Sequence, residues 1–184
     1  MDQDHSKTDH NLPAAPVDRA ALFAYLDDMG FQTSTVDHAP LFTVADSQAL
    51  CSEIKGGHTK NLFLKDKKDN YFLLTAQEET EVNLKTLHKL LGAASRLSFG
   101  KADKMEEFLG VKPGAVTAFS VINDRQGKVR FALDARLLDY DIINCHPLAN
   151  DATTSIRRED LLTFAKLCDH DPLIVDLAAE APSA

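Results

Sequence analysis

The sequence has few cysteines and no long apolar run, and each shortage excludes a class of protein. Its three cysteines are an odd number and form no C-x-x-C pair, which argues against a disulfide framework and against a zinc knuckle. No stretch approaches the roughly 20 consecutive apolar residues of a membrane helix. The opening MDQDHSKTDH also lacks the apolar core of a signal peptide. We therefore expect a cytoplasmic protein with reduced thiols and no membrane partner.

The familiar catalytic motifs are also missing. The sequence contains no P-loop, no G-x-G-x-x-G, no G-x-S-x-G and no H-E-x-x-H. Its seven histidines are scattered without the spacing of metal ligands. Cys145 and His146 are neighbours at the end of a predicted strand, so their side chains face opposite ways and do not form a nucleophile–base pair. We interpret Cys145 as a core thiol, and we predict neither a metal site nor a cofactor.

Length and charge limit the number of domains and the kinds of partner. With 184 residues, of which 44% are hydrophobic, the chain fits one domain with tails. We predict a flexible leader over residues 1–16, one domain over 17–175 and a flexible acidic tail over 176–184. A net charge of −8 weighs against nucleic acid as a partner, and in particular against DNA. Arg96, Lys101 and Lys104 nevertheless lie in a locally basic window, where they belong either to solvated helix faces or to a phosphate-binding surface.

Hydrophobic periodicity predicts interleaved helices and strands. The predicted helices cover 17–29, 44–54, 83–91, 102–109 and 158–168. The predicted strands cover 31–36, 60–66, 71–76, 96–99, 116–122, 129–133 and 142–145. Two pairs of strands, 60–66 with 71–76 and 116–122 with 129–133, are predicted to form hairpins. The fold class is therefore α+β, with a mixed, mostly antiparallel central sheet surrounded by helices.

A lysine opens an otherwise ordinary strand in the segment GGHTKNLFLKD. Alternation places Lys60, Leu62 and Leu64 on one face, and Asn61, Phe63 and Lys65 on the other. Lys60 is then either a side chain whose stem covers the edge of the core while its amine reaches water, or a cation that looks into a cleft. The strand alone does not decide between these readings.

Two further stretches carry unusual residue types. LGVKPGAVTAF is a glycine- and proline-rich turn leading into a predicted strand. Its backbone N–H groups could bind an oxyanion or a ribose, but a helix stop followed by a plain tight turn explains the stretch completely and is favoured by the local sequence. In NCHPLAND, Pro147 biases His146 toward an extended backbone, so that its ring is held at a strand end.

Three segments, taken in order, resemble the YbaK/prolyl-tRNA-synthetase editing-domain family, and most closely its free-standing ProX-type deacylases. The segments are GGHTKNLFLKDKKDNYFLLTA, LGAASRLSFGKADKMEEFLGVKPGAVTAFSVIND and DIINCHPLANDATTSIRREDLLTFAKLCDHDP. The resemblance covers about residues 20–175. It implies an enzyme that hydrolyses the ester joining a wrong amino acid to the 3′ end of proline tRNA, and alanine is the amino acid expected first. Prolyl-tRNA synthetase is a further expected partner.

The same resemblance implies roles for individual residues. Lys60 matches the family's active-site lysine, and Asn61 follows it. Gly114 and Ala118 fall on the loop that is expected to contact the aminoacyl end, while His146 and Asn150 match the H-P-x-x-N segment of the pocket. Ala118 stands where the family's loop has a proline, which leaves the amino-acid preference open.

Two other functions remain open at this point. One is deacylation of a tRNA that carries cysteine or serine. The other is a tRNA- or synthetase-binding module of the same fold that has no catalytic activity.

Overall fold

The computed structural model describes residues 12–40 and 53–180, and within them an eight-stranded sheet carries helices on both faces. The helices are α1 (Arg19–Asp28), α2 (Leu87–Leu90), α3 (Ala102–Leu109) and α4 (Arg158–Leu167). The strands are β1 (Thr33–Asp37), β2 (Gly57–Lys65), β3 (Tyr71–Gln77), β4 (Ser98–Phe99), β5 (Val129–Asp134), β6 (Ile142–Cys145), β7 (Ala152–Arg157) and β8 (Leu173–Val175). Short 3₁₀ helices cover Ala118–Asn123, Ala135–Asp139 and Leu177–Glu180. Within the described ranges, no helix is both long and apolar enough to span a bilayer.

The sheet is mixed, as the sequence predicts. Its strand order is β1-β7-β6-β2-β3-β5-β8, and β4 pairs with β2 beside this path. The pairs β1/β7, β6/β7, β2/β3 and β2/β4 are antiparallel. The pairs β2/β6, β3/β5 and β5/β8 are parallel. Antiparallel pairs therefore outnumber parallel ones among the described strands, and the predicted α+β class is confirmed.

Each face of the sheet is covered by its own apolar cluster. On one face Phe63 and Leu73 pack with residues of α1, α3 and α4, including Leu22, Leu109 and Phe164. On the other face Leu64 and Leu74 pack against α2 and the C-terminal 3₁₀ helix. Every residue of β3 is buried, because helices cover both sides of this central strand. The alternation predicted for Phe63 and Leu64 is confirmed by their presence in separate clusters.

Local signals placed several elements correctly. Helix α3 begins and ends where predicted, because Gly110 adopts φ 64 at its C-terminus. The hairpin of β2 and β3 is also confirmed, with Lys60 opposite Ala76. Helix α2 is shorter than predicted, since Asn83 starts a turn by accepting from the N–H groups of Lys85, Thr86 and Leu87 and the helix begins only at Leu87. The helix predicted over 44–54 lies almost entirely outside the described residues.

The predicted hairpin of 116–122 with 129–133 is wrong. Residues Ala118–Asn123 form a 3₁₀ helix whose first turn is capped by the Thr117 hydroxyl, and β5 pairs in parallel with β3. The apolar run at 118–122 is buried between sheet and helices, so its hydrophobicity reflects burial and not strand pairing.

Described residues close to the two predicted domain limits also pack against the apolar clusters. Leu12 packs against the first apolar cluster, and Leu177 is buried in the second. The limits of the domain at residues 17 and 175 stay a prediction.

Candidate active site

The site forms where strand β2 lacks a neighbour along part of one edge. Parallel pairing with β6 covers Gly57 and His58, and antiparallel pairing with β4 begins at Leu64. Among the described strands, none pairs with this edge in between. The backbone of Phe63 points to this edge, since its carbonyl accepts from the N–H of Gly100 at 2.9 Å. Because strand residues alternate, the N–H and carbonyl of Asn61 face the same opening.

A pocket of about 310 Å³ occupies this opening. It is lined by Thr59, Lys60, Asn61, Leu62, Phe63, Glu78, Phe99, Gly100, Met105, Pro113, Gly114, Val116 and His146. Four of the residues singled out in the sequence, Lys60, Asn61, Gly114 and His146, are thus brought together from separate segments of the chain.

Lys60 is half-buried on the face that it shares with Leu62 and Leu64. Its Nζ donates a hydrogen bond to the carbonyl oxygen of Thr80. Burial lowers the pKa of Lys60 from its usual value, while the carboxylates of Glu78, Asp134 and Glu81 oppose that shift. An ammonium has three N–H donors, so the bond to Thr80 leaves donors available for a ligand.

The main chain of Asn61 faces the opening, whereas its side chain is bonded to the neighbouring strand. Its carboxamide oxygen accepts a 2.6 Å hydrogen bond from the Thr75 hydroxyl on the neighbouring strand β3. That bond ties the side chain to the hairpin, whereas the main-chain N–H faces the unpaired edge.

The glycine turn borders the pocket between two buried valines. Val111 and Val116 anchor its ends in the core, and Lys112, Pro113 and Gly114 lie exposed between them. Gly114 adopts φ +91, a left-handed conformation that favours glycine. A methyl group on Gly114 would lie 3.7 Å from Nδ2 of Asn150, so the Asn150 side chain lies close to the turn, although Asn150 does not line the pocket.

Ala118 is not on the pocket surface. It is 1% exposed and belongs to the apolar cluster beneath the glycine turn. The chain turns inward after Val116 because the Thr117 hydroxyl caps the 3₁₀ helix that follows. The direct substrate contact expected for Ala118 is therefore corrected to a packing role.

His146 lies at the end of β6 with one ring nitrogen engaged. Its Nδ1 is 3.0 Å from the carbonyl oxygen of Ala152, and a carbonyl only accepts, so Nδ1 carries the proton. Burial lowers the pKa of His146, although the bond to Ala152 opposes the shift. The ring is thus neutral near pH 7, with Nε2 as an acceptor. The ring of His38 lies 6.4 Å away, centroid to centroid, and its Nε2 is 2.9 Å from the Thr153 hydroxyl.

Cys145 is a core thiol, as predicted. It is 1% exposed, and burial raises its pKa to about 12. A thiol held in its neutral form is a poor nucleophile.

Glu78, Phe99 and Met105 are among the pocket-lining residues that the sequence did not single out. Glu78 follows the end of β3 opposite the start of β2, and its N–H donates to the carbonyl of His58. Phe99 and Met105 come from β4 and α3. Strand pairing brings these positions together, and no local motif marks them.

The basic residues of the window 85–105 differ in their surroundings. Arg96 and Lys101 are exposed on either side of β4. Lys104 pairs with Glu107 at 2.6 Å and lies over the ring of Phe108. Lys104 is therefore the weakest of the three candidates for a phosphate contact.

Across residues 12–40 and 53–180, no cluster of three or more His, Cys, Asp or Glu side chains could hold a metal ion.

Comparison with known proteins places the chain in a family. The family model described as the aminoacyl-tRNA editing domain matches residues 38–164, more than half of the chain. The mouse prolyl-tRNA synthetase associated domain-containing protein 1 is 38% identical over 162 residues, which cover 86% of this chain and 95% of the mouse protein. The prolyl-tRNA editing protein ProX of Acetoanaerobium sticklandii is 31% identical over 149 residues, covering 80% of this chain and 90% of ProX.

A solved structure supports the same fold. A crystal structure described provisionally as a trans-editing enzyme for prolyl-tRNA synthetase has a TM-score of 0.65 and 18% identity, and the match covers 90% of this chain and 98% of that one. At this identity the likeness shows the fold alone. The family model and the two relatives confirm the resemblance seen in the sequence: this chain is a member of the aminoacyl-tRNA editing-domain family.

Proposed function

We propose that this protein is a trans-acting deacylase that hydrolyses alanine from mischarged proline tRNA. The observation that carries the proposal is the convergence of Lys60, Asn61, Gly114 and His146 on one pocket of about 310 Å³. The pocket joins a cation and backbone N–H groups with an apolar wall, which suits an ester with a small side chain.

In the proposed reaction, a water molecule attacks the carbonyl carbon of the aminoacyl ester. The bond from that carbon to the ribose oxygen breaks, and a proton that began on the water ends on the ribose oxygen. The products are free alanine and a tRNA with an intact 3′ hydroxyl. An aminoacyl ester is already activated, so the protein mainly positions the carbonyl and stabilises the developing negative charge.

Lys60 supplies the positive charge for this step. Lys60 lines the same pocket as the exposed glycine turn, and its ammonium is held by the carbonyl of Thr80. The N–H groups of Gly114 and Asn61 are the main-chain donors that we assign to the oxyanion. The neighbouring 2′ hydroxyl of the terminal adenosine orients the water, and neutral His146 shapes the pocket and accepts a hydrogen bond.

The apolar wall accounts for the choice of amino acid. Phe63, Met105, Pro113 and Val116 border the pocket, and we assign to them the exclusion of a proline ring. A synthetase site built for proline cannot strongly reject the smaller alanine, so a separate hydrolytic pocket removes it.

The test is a set of deacylation assays on one tRNA. Proline tRNA charged with alanine, with proline, with cysteine or with serine is incubated with the protein, and the Lys60→Ala variant serves as the control. Rapid loss of alanine and retention of proline are expected. Faster loss of cysteine or serine would correct the substrate, and binding without hydrolysis of any ester would favour a module without catalytic activity.

A further inference from the structure

We infer that Phe99 is a stacking platform for an unpaired base at the 3′ end of the RNA, an inference that rests on the proposed function. Phe99 is 60% exposed. The other large hydrophobic side chains exposed in the described part of the chain are Met29, Val36, Leu173 and Ile174, at 36% to 43%. Phe99 is thus the aromatic member of this group and its most exposed one. It also lines the pocket that contains Lys60.

The backbone on both sides of Phe99 is fixed. Leu97, two residues earlier, is 8% exposed and belongs to an apolar cluster. Gly100 donates its N–H to the carbonyl of Phe63, and a methyl group on Gly100 would lie 2.4 Å from the Phe63 ring. The exposed ring is therefore presented from a paired strand, and not from a loose loop.

Strand pairing sets the side on which the ring lies. Phe99 is directly opposite Leu64 in the antiparallel pair of β4 and β2, and side chains of opposite residues share a face. Lys60, Leu62 and Leu64 occupy every second position of β2, so all three lie on that face. Lys60 is four residues from Leu64, or about 13 Å along the strand. A ligand that contacts both Phe99 and Lys60 is therefore extended, as a nucleotide carrying an acyl group is.

The charge around Phe99 favours RNA as the occupant. Exposed Arg96 and Lys101 flank the strand that carries the ring, although the whole chain has a net charge of −8. Aromatic rings beside cations are the usual platforms for single-stranded nucleic acid, because the base stacks on the ring while the cations meet phosphates. Every base has a flat aromatic face, so such a platform binds the end of the RNA whichever amino acid the RNA carries.

The experiment separates ring stacking from general apolar contact. Kinetics on alanyl-tRNA for proline are compared for Phe99→Ala, Phe99→Leu and Phe99→Trp in the full chain, with Ile174→Ala as the exposed control. Loss of stacking is expected to raise KM about tenfold in the alanine and leucine variants, with kcat nearly unchanged. The tryptophan and Ile174 variants should resemble the parent. A leucine variant equal to the parent, or a loss confined to kcat, would overturn the inference.

A binding assay keeps this inference separate from the proposed function. The probe is a short fluorescent RNA with the unpaired 3′ sequence of the acceptor end and no amino acid, and its affinity is measured for the same variants. Weaker binding by Phe99→Ala in a protein that hydrolyses no ester would support the platform while refuting the deacylase. Equal binding of the RNA by all variants would refute the platform.

Discussion

The ammonium of Lys60 donates a hydrogen bond to the backbone carbonyl of Thr80. Lys60 is a half-buried residue within β2, and Thr80 is buried just beyond the end of β3. The acceptor for the Lys60 ammonium is thus a main-chain carbonyl, which stays in place when the side chain of Thr80 is substituted. This bond holds the ammonium of Lys60, a residue that lines the pocket, and the proposed function requires such a preorganised positive charge.

Replacement of Lys60 by alanine should abolish deacylation without unfolding the protein. We expect a loss of at least about 100-fold in kcat/KM, because removing one charge-stabilising group from a preorganised site typically has that effect. Lys67→Ala, in the exposed turn between β2 and β3, is the matched control. Circular dichroism melts should show all three proteins folded. Near-parental turnover by the Lys60 variant would contradict the assignment.

Activity should depend on pH through Lys60. Burial lowers the pKa of Lys60, so its charge and the activity that needs it should be lost on the alkaline side below the usual lysine pKa of 10.5. The Glu78 carboxylate opposes this shift, so Glu78→Gln should move the alkaline limb to still lower pH. The measurement is kcat/KM against pH for both proteins with one substrate, corrected for spontaneous hydrolysis. An alkaline limb at the same pH or at higher pH in Glu78→Gln would contradict the electrostatic coupling between Glu78 and Lys60.

Gly114→Ala should damage the site through the backbone. The methyl group has room, since its nearest neighbour lies 3.7 Å away, but φ +91 is strained for alanine. The turn is expected to shift, with a cost of about 1–2 kcal/mol in the free energy of unfolding and a clear loss of activity. Gly127→Ala is the control, because φ +62 imposes a similar strain at a position outside this pocket. Equal activity losses in both variants would show a general stability effect.

Arg96 and Lys101 should bind RNA phosphates. Substitution of either by alanine is expected to raise KM and to reduce the slope of log KM against log salt by about one. Lys166→Ala on α4 provides a control, since Lys166 lies 3.9 Å from Asp171 and does not line this pocket. If KM for the parent protein does not change with salt, phosphate contacts are refuted.

A buried ion pair away from the pocket should make stability depend on pH. His170 Nε2 lies 3.0 Å from Asp124, while its Nδ1 donates to the Cys168 carbonyl, so both ring nitrogens carry protons. Burial acts to lower the pKa of His170, but these hydrogen bonds outweigh it and the pKa is raised. The stabilisation should be complete below the unfolded histidine pKa of about 6.5 and lost as pH rises through the folded value.

Urea unfolding of His170→Gln and the parent tests this pair. We expect the variant to lose about 2 kcal/mol below pH 6.5, because glutamine keeps a donor but not the charge. The difference should shrink as the solution becomes alkaline. Burial acts to raise the pKa of Asp124, but its hydrogen bonds from His170, Lys128 and Val129 outweigh this and lower it. The Asp124 contribution should accordingly be lost only as strongly acidic pH is reached. A difference that is constant with pH would refute the ionised pair.

The sequence was most informative where structure depends on neighbours in the chain. The alternation in β2 placed Lys60 on the face of Leu64, and Gly110 ended α3, because side-chain period and helix capping act within a few residues. The order of three motifs was also enough to indicate the family, which the comparisons confirm.

The partners of each strand depended on contacts between residues far apart in the chain. Apolar residues 118–122 had the composition of a strand, but packing between sheet and helices made them a 3₁₀ helix, and β5 paired with β3 instead. The same packing buried Ala118 and brought Glu78, Phe99 and Met105 to the pocket. By itself the sequence determined which residues could carry the chemistry. The tertiary structure decided which of them meet, because the opening between β6 and β4 exists only once the sheet has assembled.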